Sequence, residues 1–176
     1  MGDTLITVVA IALAAVLMFV FPLMTMSDRT DDVSQLTVET ATTEFVDDVR
    51  TTGKITMDKY SKFVENLSST GNSFDVEMEA KILDENPGKK TTQASKTKIG
   101  ENVYYSMYTS QILDTLSANN GKTTLALKEG DMFSASVKNT NTTMSQQLKN
   151  FFYTVTGNDT YTVAASHAGF VTANGK

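Results

Sequence analysis

His167 is the only histidine in the chain, and cysteine is absent. A Ser-His-acid hydrolase would have to use His167, yet no G-x-S-x-G elbow accompanies it. Without a thiol there is no Cys nucleophile, no disulfide and no Cys-based metal site. The acid pairs offer little more. Asp31–Asp32 and Asp47–Asp48 are adjacent residues, so on a helix their side chains diverge by about 100° and read as a solvated face or as electrostatic partners between helices. Glu77 and Glu79 share one face of a strand two residues apart, but the oxygen-rich loop of an EF-hand is missing. Gly130-Asp131 lacks the further glycines and the Lys-Ser/Thr of a phosphate loop and reads as a turn. Tyr104, Tyr105 and Tyr108 read as core. Asn66-Leu-Ser, Asn141-Thr-Thr and Asn158-Asp-Thr fit the N-glycosylation acceptor, which suits an external surface. The expectation is a protein that is not an enzyme, with no catalytic residue, no bound cofactor and no metal.

If no small site does chemistry, the elements themselves become the candidate functional feature. Leu5 to Met26 is an uncharged run of about 22 residues, long enough as a helix to cross a hydrocarbon layer of about 30 Å. Thr7 and Thr25 can bond back to helix carbonyls, and Pro22 should kink the helix without ending it. The short leader Met-Gly-Asp-Thr has no Lys or Arg, and Met24-Thr25-Met26 is a poor cleavage site, so a retained helix is expected rather than a removed signal. Its candidate contact residues are Leu5, Ile6, Val9, Leu13, Val16, Leu17, Val20 and Pro22. Ala10, Ala12, Ala14 and Ala15 would let neighbouring helices approach closely.

Beyond Met26 the character changes. Residues 30–52 contain neither Pro nor Gly, and Val33, Leu36, Val38, Ala41, Phe45, Val46 and Val49 recur at helical steps between acids. Nothing forces a break at Met26, so one helix of about 48 residues is expected to end at Gly53. Val33, Leu36, Phe45 and Val49 are the residues expected to bind it to the rest of the domain. A second helix should start at Thr56 as N-cap and bury Tyr60, Phe63, Val64 and Leu67. Ser73 to Leu83 alternates strictly and reads as a strand. Asn86-Pro87-Gly88 reads as a turn and residues 89–100 as a lysine-rich loop or edge strand.

Tyr104 to Leu116 has helical spacing, with strand left open at its start. Asn119-Asn120-Gly121 should end it. Thr123–Leu127 and Met132–Val137 read as a hairpin across Lys128-Glu129-Gly130-Asp131. A short helix with Met144, Leu148, Phe151 and Phe152 inward, then a strand from Tyr161 to Val171, complete the chain. The fold expected is α+β: a long hydrophobic-then-amphipathic helix and a C-terminal head of small antiparallel sheet plus short helices. Residues 1–29 would form the transmembrane or filament-core helix, and 30–176 the extracellular head.

The charge of −5 excludes nucleic acid as a partner, because phosphate binding needs clustered cations. Threonine, 27 of the 176 residues, favours strands and can carry O-linked sugar, which together with the absence of thiols suits a cell-surface domain.

The whole plan resembles that of type IV pilins: a short leader, an apolar helix continuing as an amphipathic one, and an α/β head. Gly2, directly before the apolar run, is similar to the glycine at which a prepilin peptidase cuts pilins, and Pro22 is similar to the pilin helix proline. Phe45-Val-Asp-Asp-Val-Arg-Thr-Thr-Gly-Lys-Ile-Thr56, with Tyr60, Phe63, Leu67, Thr70, Gly71 and Phe74-Asp75-Val76, also resembles TadE-like, pilin-like proteins of Gram-positive loci, as do Gly130-Asp131-x-Phe133 and Ala168-Gly169-x-Val171. The resemblance implies a helical filament of the chain itself, membrane residence before assembly, and an assembly ATPase with a platform protein as partners. The head would then set the outer surface, adhesion and sugar display. A departure accompanies it: pilins carry a glutamate five residues after the cut, and here that position is Thr7. A minor pilin, or a single-pass anchored binding protein, is the alternative.

Overall fold

The computed structural model describes residues 2–83, 104–143, 146–147, 150 and 162–175. An unbroken helix of 51 residues, Gly2–Thr52, runs from the N-terminus into the head. It comprises α1 (Gly2–Ala15), a π-helical turn (Val16–Val20) and α2 (Phe21–Thr52). The π turn has a local cause. Pro22 has no N–H to give Met18 and its ring crowds that carbonyl, so the extra residue per turn sits just ahead of it. Gly53 stops the helix in the left-handed region (φ 65) and donates its N–H to Val49 O at 2.8 Å, a glycine C-cap.

After the short strand β1 (Lys54–Thr56), α3 (Met57–Ser68) starts on Thr56, whose hydroxyl accepts from Lys59 N. Then come β2 (Phe74–Leu83), β3 (Tyr104–Tyr108), α4 (Thr109–Gly121), β4 (Thr124–Ala126), β5 (Met132–Asn139) and β6 (Ala164–Phe170). The main sheet is antiparallel in the order β3-β2-β5-β6, and β1 pairs with β4 in a separate two-stranded ladder. The architecture is α+β. The register brings Met78 opposite Ala135 and Ala80 opposite Phe133, so one face of β2 and β5 is apolar. Against it lie Val38, Ala41, Phe45, Val46 and Val49 of α2, Phe63 and Leu67 of α3, and Ile112 and Leu116 of α4. Phe45 stacks on Phe63 (centroids 4.4 Å, 4° between planes) and meets Phe133 edge-on at 5.7 Å.

Four expectations need correction. Val33 and Leu36 do not bind the helix to the head: they are 65% and 64% exposed. The buried stripe of α2 runs Asp31, Ser34, Val38, Ala41/Thr42, Phe45/Val46, Val49. Extending the Phe45–Val38 stripe backwards at 3.6 residues per turn reaches Ser34 and Asp31, while Leu36 lies about 160° away from Val38, on the far side. Asp31 is accordingly buried, whereas Asp32 is exposed as expected.

Tyr104–Tyr108 is strand, and the helix begins at Thr109; Tyr108 stays extended while its N–H donates to the Gln111 side chain. Period two turns Tyr104 and Tyr108 to solvent, while Tyr105 shares the face of Met107 but lies opposite Ile82 toward the end of the ladder, beyond the core that Met107 reaches, so all three tyrosines are exposed rather than packed. Finally, the turn at Lys128–Asp131 forms, but β4 and β5 do not pair across it. The buried Asp131 carboxylate accepts from Lys128 N (2.7 Å) and Leu83 N (2.8 Å), pinning a corner where the chain changes sheets. The turn at Asn86-Pro87-Gly88, the segment 89–100, the inward positions of Met144, Leu148, Phe151 and Phe152, and Asn158 lie outside the described residues.

Candidate functional site

The candidate site is the apolar half of the long helix and the collar where it enters the head. No residue of α1 or of the π turn is buried. Leu5, Ile6, Val9, Leu13, Val16 and Leu17 are 45–67% exposed; Pro22 is exposed and Val20 half-buried. This one helix is long and apolar enough to cross a membrane. Its few hydroxyls are satisfied within the helix: Thr7 Oγ1 donates to Asp3 O at 2.8 Å and Thr25 Oγ1 to Phe21 O at 3.1 Å. Beside Pro22 the surface is concave, a groove of about 590 Å³ lined by Leu17, Phe21, Pro22, Thr25, Met26 and Arg29.

A polar collar fixes the angle at which this half leaves the head. Thr143 Oγ1 donates to the buried Asp31 carboxylate at 2.9 Å. Thr143 and Gln146 close a reciprocal box, with Gln146 N donating to Thr143 Oγ1 and Thr143 N to Gln146 Oε1. One turn on, Gln35 brackets the Ala164 peptide, donating to its carbonyl (2.7 Å) and accepting from its N–H (3.1 Å). Further along, Arg50 Nε donates to Phe170 O (3.0 Å) while its guanidinium pairs with Asp47 (2.6 Å). These contacts also blunt the edge strand β6, whose backbone would otherwise invite pairing. A Cβ on Gly169 would meet the end of the Arg50 side chain, so the glycine leaves room for the guanidinium to lie across the strand.

The remaining candidates are placed as follows. His167 lies on the helix-facing side of β6, with Nε2 at 3.5 Å from Asp47 Oδ1, too long and too poorly aimed to count as a hydrogen bond. Asp48 pairs with Lys59 at 2.8 Å, so both acids of that doublet work inside the head. Glu79 accepts from Ser106 Oγ at 2.8 Å on the solvent face of the sheet, with Lys81 at 3.6 Å. Among the described residues no three His, Asp or Glu side chains converge as a metal set. Asn66 is exposed on α3; Asn141 is exposed too, but its Oδ1 is engaged by Ser73 N at 2.8 Å. Sequence reasoning missed the collar, because Asp31 looked like one more surface acid and Thr143 lies 112 residues away from it.

No protein-family model, curated protein or solved structure matches the chain.

Proposed function

We propose that this protein is a structural subunit of an extracellular, type IV pilus-like filament. Lipid solvates its apolar helix first, and copies of the same helix do so after assembly. One observation carries the reading: a continuous helix whose second half is built into the head leaves its whole first half uncovered. Thirteen large apolar side chains between Leu5 and Met26 stand exposed. Covering them is worth on the order of 20 kcal/mol, more than the net stability of an ordinary domain, so water is not their working environment. A disposable anchor needs only length and hydropathy. Here the helix is continuous with the core element of the head and is held at a set angle by Asp31, Gln35 and Arg50, as a subunit that must repeat in register requires. The head would supply the outer surface.

The test is electron microscopy of material sheared from cells that make the protein, with mass spectrometry of its composition and N-terminus. Filaments made chiefly of this chain are expected. Filaments in which it is a trace component would make it a minor pilin, and membrane-retained monomers alone would make it an anchored binding protein.

A further inference from the structure

Val33 and Leu36 are the only large apolar side chains left strongly exposed on the head-bearing half of the helix. They share a face with Arg29, since Arg29, Val33, Leu36 and Thr40 recur at i, i+4, i+7 and i+11. That face joins the groove beside Pro22, which ends at Arg29, to a second groove of about 330 Å³ that begins at Leu36 and runs along Thr40 and Glu44 to Asn66 and Ser69. Arg29 is the only cation in the first 49 residues, and Asp3 is the only acid ahead of Asp28. The ion pairs among the described residues include neither of them.

From these observations we infer that a second copy of the chain lays its first turns along the Arg29–Val33–Leu36 face, with its Asp3 paired to Arg29. The inference rests on the filament reading and specifies its contact. Both surfaces have the same spacing: Asp3, Thr7 and Ala10 fall at i, i+4 and i+7, as do Arg29, Val33 and Leu36. In a parallel arrangement they meet in register at a stagger of 26 residues, about 39 Å along the axis. Small residues at Thr7 and Ala10 let the backbones close over the larger Val33 and Leu36. The charge pairing also has a reason in the assembled state. In a membrane Asp3 reaches water at the end of the span, but among packed helices it loses that water and needs a cation. Asp28 and Asp32 lie about 100° and 60° around the helix from Arg29 and keep the neck acidic, so recognition works through direct contact with the guanidinium, not through long-range attraction.

The chain has no cysteine, so engineered thiols report this contact without background. Full-length Asp3→Cys/Arg29→Cys, oxidised in its filaments, should give a ladder of disulfide-linked oligomers. Either single variant should stop at dimers, and Asp3→Cys/Glu44→Cys should give no ladder. Charge reversal gives a second reading: Asp3→Arg should lower the polymerised fraction about tenfold, and Asp3→Arg/Arg29→Asp should restore it. Filaments that form normally while the Cys pair gives no ladder and the swap restores nothing would overturn this contact alone. A wild-type chain that never polymerises would overturn the filament reading and this contact with it.

Discussion

Phe45→Ala tests whether the long helix belongs to the head or merely precedes it. Phe45 is 6% exposed, stacked on Phe63 and edge-on to Phe133, so it joins the helix to both α3 and the sheet. Truncating a buried phenylalanine costs about 3–5 kcal/mol in lost transfer energy and residual cavity. Two ring contacts disappear with it, each worth about 0.5–1.5 kcal/mol, which places this site in the upper half of that range, about 4–5 kcal/mol. For a chain of this size 1 kcal/mol moves Tm by about 2–4 °C, so a drop of about 8–20 °C is expected. Circular dichroism melting of the full-length variant in detergent, beside wild type, measures it. A drop of under about 3 °C would refute the reasoning, because the helix could then detach without disturbing the core.

Other outcomes follow from the same contacts. Gly53→Ala should cost about 2–4 kcal/mol, read as a urea midpoint, because φ 65 penalises a side chain and the new Cβ would press on the Ala173 carbonyl and Gly175 N. Val33→Ser and Leu36→Ser should leave the melting of the monomer within about 0.5 kcal/mol of wild type, since both side chains are exposed. Burial, and then the Asp75 carboxylate, raises the Tyr60 pKa above its ordinary 10.0. The unfolded chain therefore releases this proton first, and the stability Tyr60 contributes below about pH 10 is lost as pH rises through its folded pKa. Urea midpoints followed across that range should fall more steeply for wild type than for Tyr60→Phe.

Local chemistry made much of this fold legible. Gly53 as a left-handed cap, Thr56 as an N-cap and the strict alternation from Phe74 to Ile82 each depend on neighbours close in sequence. The misreadings share a different cause. Val33 and Leu36 continue an apolar pattern whose phase, once Phe45 and Val49 are anchored, turns them outward. Asp31 needs Thr143, and β4 chose β1 as its partner over the adjacent β5; both are settled by residues far away in the chain. Tyr104, Tyr105 and Tyr108 look like core by composition, but among the described strands theirs is an edge strand, and all three are exposed on it. For the candidate site, the apolar half of the helix could be read from composition alone, and the collar that aims it could not.

The central claim is that copies of this chain replace lipid around its apolar helix. Val16→Asp, produced as the full chain in cells that display it, tests that most directly. Val16 is 45% exposed on the projecting half, in a turn none of whose residues is buried. An unpaired carboxylate buried among packed helices costs several kcal/mol, about 2–7 for an uncompensated polar group and more for a charge. Filaments counted by electron microscopy should disappear while the folded head remains detectable in the membrane fraction. Filaments of normal number and length would contradict the account.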